Sequence, residues 1–305
     1  MYQFPDRPIR LIEHESELPE GMIGAADSFI DFETTPIVDD NKLHGDDPWR
    51  GDRICGAAIT WDDHPYAYYV PVRHTDERWN IPVDNFRRWL NDAVSTCKVW
   101  SNQNVKFDAH FADADGAVFT GELYDVMNCA KMLDTDRGFG GGGYGLDALS
   151  HDLLSVDISS HEQRVKAYLK SIKSKNYARV PADVLGLYAG EDVLTARSLK
   201  EYQLKKRDEW VAKVPRFADI WRTEQLLTPV LWDMERAGAR VDPRRLVQED
   251  FLVTLELLQL QEELHRIFDF AIEPSNPADC YDLIVNKLGL PVLAWNEQEG
   301  DKEST

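Results

Sequence analysis

The 305-residue chain is short of cysteine, of basic charge and of long apolar runs, and each shortage excludes a class of protein. Its four cysteines, Cys55, Cys97, Cys129 and Cys280, are widely spaced and form no C-x-x-C pair. They read as buried thiols in a reducing compartment, not as a disulfide frame or a zinc site. No apolar run approaches the roughly 18 residues that span a bilayer, and Met1-Tyr2-Gln3-Phe4-Pro5-Asp6 lacks the basic and apolar regions of a signal peptide. A soluble, cytoplasmic protein is expected, with no membrane partner. Lysine and arginine number 34 against 54 acids, a formal charge of −20. That sign argues against holding nucleic acid by general phosphate attraction. It permits a metal-dependent enzyme, because bound cations reverse the local field. The run Gly138 to Gly145 has no Gly-Lys-Ser/Thr after it and opens no βαβ unit, so it reads as a flexible loop.

The chain has 43% hydrophobic residues and exceeds the size at which one core usually keeps growing, so two units are expected. Phe29 to Thr34 has the apolar content of a strand, followed by a turn-rich loop from Pro36 to Asp52. Arg53 to Trp61 and Tyr66 to Val72 are expected to be antiparallel neighbours, since only Asp62 to Pro65 separates them. Val83, Phe86, Trp89, Leu90 and Ala93 recur at helical intervals. A strand at 97–101 and helices at 104–113, 125–133, 146–154 and 184–203 follow, which makes the first part an α/β domain with a mixed sheet. After residue 216 long helices are expected, one of them running from Asp242 and Pro243 to about Phe270. Its apolar positions need a partner surface. The tail from Trp295 to Thr305 is polar and expected to be loose.

Three places carry candidate chemistry. Asp31 and Glu33 stand at i and i+2 of the opening strand and therefore project from one face. Asn104-Val-Lys-Phe-Asp108 sets an acid near the start of a helix that follows a strand, at the sheet edge where sites of open α/β sheets collect. Tyr188 and Asp192 lie four residues apart and share a helix face. Clustered hard oxygen donors suit magnesium or manganese, and two such ions roughly 3.5–4 Å apart can activate water and stabilise a leaving oxygen. Between Gln163 and Arg179 there are six basic residues and no acid. This is either a solvated helix face or a contact for a nucleic acid backbone through Lys166, Lys170 and Lys173, with Tyr168 and Tyr177 available for stacking. Glu191 lies about 100° round the helix from Asp192 and is expected in solvent or a salt bridge. Asp125 is expected to cap a helix, and His110 to be a packing residue.

In the order D-x-E, N-x-x-x-D, Y-x-x-x-D, the chain resembles the DEDD 3′-5′ exonucleases of the tyrosine subclass, and most of all the proofreading domain of family A DNA polymerases. The runs that carry this are Phe29 to Thr34, Asn104 to Asp108, Tyr124 to Met127, Gly145 to Leu149 and Tyr188 to Thr195. The resemblance implies a ribonuclease H-like mixed sheet flanked by helices, followed by a smaller all-α segment. It implies two divalent cations, Mg2+ or Mn2+: Asp31, Glu33 and Asp192 on the nucleophile-activating ion, Asp31 and Asp108 on the second. Tyr188 would orient the attacking water, helped by Glu33, while Asn104 and Phe107 shape the groove for a single-stranded or frayed DNA 3′ end. Leu227 to Gly238 and Ser275 to Pro291 are similar to the entry and thumb of the polymerase domain. An exonuclease domain over 1–212 and a helical region over 213–305 are therefore expected, with fingers and palm supplied by a partner subunit or by a longer parent polymerase. The alternative is a non-catalytic subunit that docks a polymerase or clamps DNA.

Overall fold

The computed structural model describes residues 2–3, 8–38, 43–138, 142–268 and 272–292. The chain divides into two compact units, Met1–Ala237 and Gly238–Thr305. The first is built on a seven-stranded mixed sheet made of β1 (Tyr2–Gln3), β2 (Ile9–Leu11), β3 (Asp27–Thr35), β4 (Arg53–Trp61), β5 (Ala67–Pro71), β6 (Val99–Asn102) and β7 (Glu122–Asp125), in the order β1-β2-β5-β4-β3-β6-β7. β3, β4 and β5 are antiparallel, with Asp31 opposite Ala58 and Ala57 opposite Val70. On its other edge β3 runs parallel to β6, and β6 to β7. The expected pairing of 53–61 with 66–72 is thus present. β2 and β7 escape a reading of the sequence because three or four residues are too few to show a period of two.

Helices cover both faces: α1 (Val83–Thr96), α2 (Val105–Ala114), α3 (Val126–Leu133), α4 (Leu146–Leu149), α5 (Ser159–Ser171), α6 (Ala182–Lys213) and α7 (Phe217–Ala237). Alternation along β3 divides its side chains between two cores. Ile30 and Phe32 pack with Trp89, Leu90 and Phe111, whereas Phe29 joins Leu185, Ala189 and Val193 of α6. Residues 29, 31 and 33 share a face, so Asp31 and Glu33 project on the α6 side.

The helix expected over 146–154 is α-helical only to Leu149 and continues to Leu154 in wider turns. α5 was not expected as a helix of these bounds; only Val165 and Leu169 of its thirteen residues are buried, which leaves its apolar period weak. α6 is 32 residues long, about 48 Å, and extends beyond the expected 184–203 at both ends. α7 packs on the sheet unit through Trp221 and Trp232, both buried. The first compact unit therefore runs on through α7 to Ala237.

In the second unit, α8 (Pro243–Phe268) has no buried residue, and Leu246, Phe251, Leu258 and Ile267 are exposed. α9 (Pro277–Tyr281) is capped by Asn276, which accepts from the Ala278 amide at 3.0 Å, and runs into wider turns up to Lys287. The polar tail and residues 269–271 lie outside the described residues, as do 139–141 of the glycine run and 39–42 of the loop before β4. Among the described residues no helix is long and apolar enough to cross a membrane.

Candidate active site

The β3–β6 pairing stops at Phe29 and Ser101, and past that point the strands diverge. The edge amide of Phe32, left without a strand partner on that side, donates to Asp108 Oδ1 at 2.8 Å. Such a buried amide needs an acceptor, and α2 supplies one from its first turn. The turn into α2 is made by Asn104, whose left-handed backbone (φ 56°, ψ 46°) is one that asparagine tolerates. Its amide donates to Asp125 Oδ1 at 3.3 Å, and the same oxygen accepts from Met127 and Asn128 to cap α3. Asp125 is the cap it was expected to be.

From the opposite side, α6 brings Tyr188 and Asp192. Gly186 and Gly190 allow the helix to press on the sheet: a Cβ on Gly186 would lie 2.9 Å from the Tyr69 ring, and one on Gly190 2.7 Å from Ile9 Cγ2. Helical geometry places Tyr188 and Asp192 on the flank away from those glycines. Asp31, Glu33, Phe107, Tyr177, Tyr188 and Asp192 consequently line one cavity of about 300 Å³. Asp192 and Tyr188 also border a neighbouring cavity of about 250 Å³ with Ser159, Glu162 and Leu146. Tyr177 is held there by a turn that Asn176 caps, and the Thr35 hydroxyl at the end of β3 donates to Asn176 Oδ1 at 3.0 Å. A larger cleft of about 670 Å³ lies along α2 and α7 beside Trp49, but Arg236 engages both of its aspartates, Asp113 and Asp233.

The electrostatics are one-sided. Burial pushes the Asp31, Glu33, Asp108 and Asp192 carboxyls above their ordinary range. The charge of Asp31 raises the other three further, and Glu33 also feels Asp192 and Asp108. Opposing this, Asn102 donates to Asp31 and Asp108, and the Tyr188 hydroxyl to Asp192. Among the described residues no lysine, arginine or histidine pairs with any of the four. The phenol of Tyr188 is raised well above its usual value, first by the charge of Asp192 and then by burial. Among the described residues no three histidine, cysteine, aspartate or glutamate side chains close into a ready metal shell. The donor set nevertheless fits a hard divalent ion: it is oxygen-only, buried, anionic and uncompensated.

Asn104 is exposed at the turn, and Phe107 sits in the cavity wall against the Phe111 ring at 4.9 Å. Lys166, Lys170 and Lys173 are exposed and line neither cavity. Lys166 instead pairs with Glu162 at 2.6 Å, one helical turn away. Tyr168 packs partly into the α6 core. Glu191 bonds His161 at 2.5 Å, and His110 bonds Glu235 at 2.8 Å and packs between Trp49 and Trp232. Asn102 went unnoticed in the sequence because one polar residue ending a strand carries no periodic signal.

A family profile described as 3′-5′ exonuclease, for DNA polymerase A, matches residues 50–206, over half of the chain. The chain belongs to the 3′-5′ exonuclease family of family A DNA polymerases. The match contains Asp108, Tyr188 and Asp192, and begins after Asp31 and Glu33, whose place rests on the geometry of β3. Among curated proteins, DNA polymerase DpoZ of Acinetobacter phage SH-Ab 15497 is 25% identical over 293 residues, covering 90% of this chain and 42% of that one. DpoZ of Salmonella phage PMBT28 is 24% identical over 248 residues, covering 78% and 36%. DNA polymerase I of Bacillus subtilis is 21% identical over 254 residues, covering 81% and 25%. The chain therefore spans about two fifths of the length of the phage relatives it matches. Among solved structures, the POL domain of Pol1 from M. smegmatis aligns with a TM-score of 0.53 at 15% identity, covering 95% of this chain and 42% of that one. NrnC of Brucella melitensis bound to pGG aligns with a TM-score of 0.51 at 20% identity, covering 78% and 98%. These likenesses establish the ribonuclease H-like exonuclease fold with a helical continuation.

Proposed function

We propose that this exonuclease is metal-dependent, removes nucleotides from DNA 3′ ends, and is the proofreading component of a family A polymerase, either split or part of a longer chain. The observation that carries this reading is that Asp31, Glu33 and Asp192 line one cavity, with Asp108 bridged to Asp31 behind it by Asn102, and that among the described residues no lysine, arginine or histidine bonds any of the four. These acids would hold two divalent ions, Mg2+ or Mn2+, which when bound would lower the pKa of a water and stabilise the leaving oxygen.

The chain's own groups do the rest. Tyr188, a phenol whose ordinary pKa is about 10, is a hydrogen bonder that orients water and not a base. Glu33 and Asp192 set where that water stands. Phe107 and Tyr177 offer flat walls for the terminal bases, and Asn104, exposed at the turn into α2, would shape the groove beside them. DNA is favoured over RNA because the relatives by sequence are DNA polymerases.

Asp31→Ala should cut digestion of a 5′-labelled oligonucleotide by roughly 10²–10³-fold, the scale of losing one preorganised charge-stabilising group, with circular dichroism unchanged. Digestion at the normal rate would show that the site is misassigned. Running DNA and RNA side by side, with and without chelator, tests the substrate and the metal together.

A docking role for the helical segment rests on α8, whose apolar side chains have no cover among the described residues. We assign residues 1–212 to the exonuclease and 213–305 to the entry of a polymerase domain whose fingers and palm cover α8. Mixed with a fingers-and-palm fragment, the chain should elute from gel filtration as a complex, and Leu258→Glu should weaken it. Separate elution would remove the docking role and leave the nuclease reading intact.

A further inference from the structure

Asn102 is the last residue of β6 and is 1% exposed. Its Nδ2 lies 2.8 Å from Asp31 Oδ1 and 2.8 Å from Asp108 Oδ2. The nitrogen end must face those oxygens, because the amide carbonyl would add a further negative dipole to an acidic pocket. An amide nitrogen has two hydrogens, and here both are committed to carboxylates that come from different elements, β3 and α2.

We propose that Asn102 is a positioning residue that clamps Asp31 and Asp108 at the separation in which they receive a divalent cation; this rests on the metal-nuclease reading above. The chemistry of the amide suits the task. A lysine or arginine at this place would neutralise the acids and compete with the cation, whereas a neutral amide bonds one oxygen of each and leaves both charges in place. The near-trigonal nitrogen holds the two bridged oxygens about 5 Å apart. Asp108 is fixed at its other oxygen as well, by the Phe32 amide at 2.8 Å. Asp31 keeps Oδ2 outside these bonds. Glu33 and Asp192 are not touched by Asn102; Asp192 is oriented from its own helix by Tyr188. The Asp31–Asn102–Asp108 unit therefore ties the edge of β3 to the first turn of α2 through the end of β6.

Groups that orient metal ligands typically govern affinity or rate by 10–100-fold when removed. In Asn102→Ala, Mn2+ binding to the full chain, followed by electron paramagnetic resonance without substrate, should weaken by about 10-fold or more. At saturating Mg2+, kcat should fall while KM for the oligonucleotide stays within about twofold, since no base or phosphate contact is lost. Asn102→Ser, which keeps a single donor, should lie between wild type and Asn102→Ala, and carries the comparison if the alanine variant does not fold. Wild-type Mn2+ affinity in a folded Asn102→Ala or Asn102→Ser chain overturns the proposal. So does a loss of rate with unchanged Mn2+ affinity, because the clamp would then not act on the cation. Asp108→Ala, run in parallel, separates the two levels. If it too binds Mn2+ and digests DNA normally, the metal-nuclease reading has failed; if it is inactive while Asn102→Ala is normal, only the clamp has failed.

Discussion

At the scale of single residues, the candidate site gathers four carboxylates with no counter-charge among the described residues. Asp115 is also buried, yet Arg73 and Arg87 bond it at 2.8 and 2.9 Å. Asp27 is held by Lys200 at 2.6 Å. Asp31, Glu33, Asp108 and Asp192 have amides, a phenol and each other, and that is the arrangement a bound cation resolves. His74 shows a different use of burial. It lies at 2% exposure with Nδ1–H donating to the Val180 carbonyl and Nε2 accepting from the Tyr69 hydroxyl, both at 2.9 Å. Burial holds its pKa below the ordinary value of 6.5. The unfolded chain therefore binds a proton at a pH where the folded one does not. The stability His74 contributes is present above about pH 6.5 and is lost as pH falls toward the lowered folded value. Urea unfolding should show the midpoint declining below about pH 6.5, and His74→Gln should flatten that part of the profile. An unchanged slope would place the linkage in other groups.

Among elements, α6 decides whether the site exists. Tyr188 and Asp192 reach β3 because Gly186 and Gly190 let the helix lie close on β5 and β2. Gly→Ala inside a helix gains about 0.5–1 kcal/mol in propensity. At Gly190 the added Cβ would meet the stiff side chain of Ile9 at 2.7 Å, and overpacking of that kind costs about 1–3 kcal/mol. The clash should win. Gly190→Ala is expected to lower the denaturation midpoint and, by shifting Asp192, to lower nuclease activity more than its loss of stability explains. A stabilised and fully active variant would show that α6 has room to move. The helix as such was legible in the sequence, as were the shared face of Tyr188 and Asp192 and the antiparallel β4–β5 pair. β2, against which Gly190 packs, was not, because three residues carry no pattern.

For the molecule as a whole, the proposed cation site would make stability depend on the ion. Holding four repelling carboxylates together costs folding energy, and an ion that binds only the folded chain returns it. At about 100 times its dissociation constant such an ion adds roughly 2.7 kcal/mol, or on the order of 5–10 °C in a domain of this size. Mn2+ should therefore raise the melting midpoint, and chelator should reverse it. Asp192→Asn should raise the cation-free midpoint and shrink the Mn2+ effect. A midpoint indifferent to Mn2+ in wild type would mean that the acids hold no ion. The sequence by itself determined the mixed α/β class, the three carboxylate elements and the family, because strand and helix periods and short motifs are local properties of the chain. Tertiary structure alone decided that Lys166, Lys170 and Lys173 stand outside the cavity and that α7 belongs to the sheet unit. It also decided that Asn102 sits between Asp31 and Asp108. These depend on how β6, α5 and α7 are laid against β3 and α6, and contacts between residues some seventy or more positions apart leave no spacing along the chain to be read.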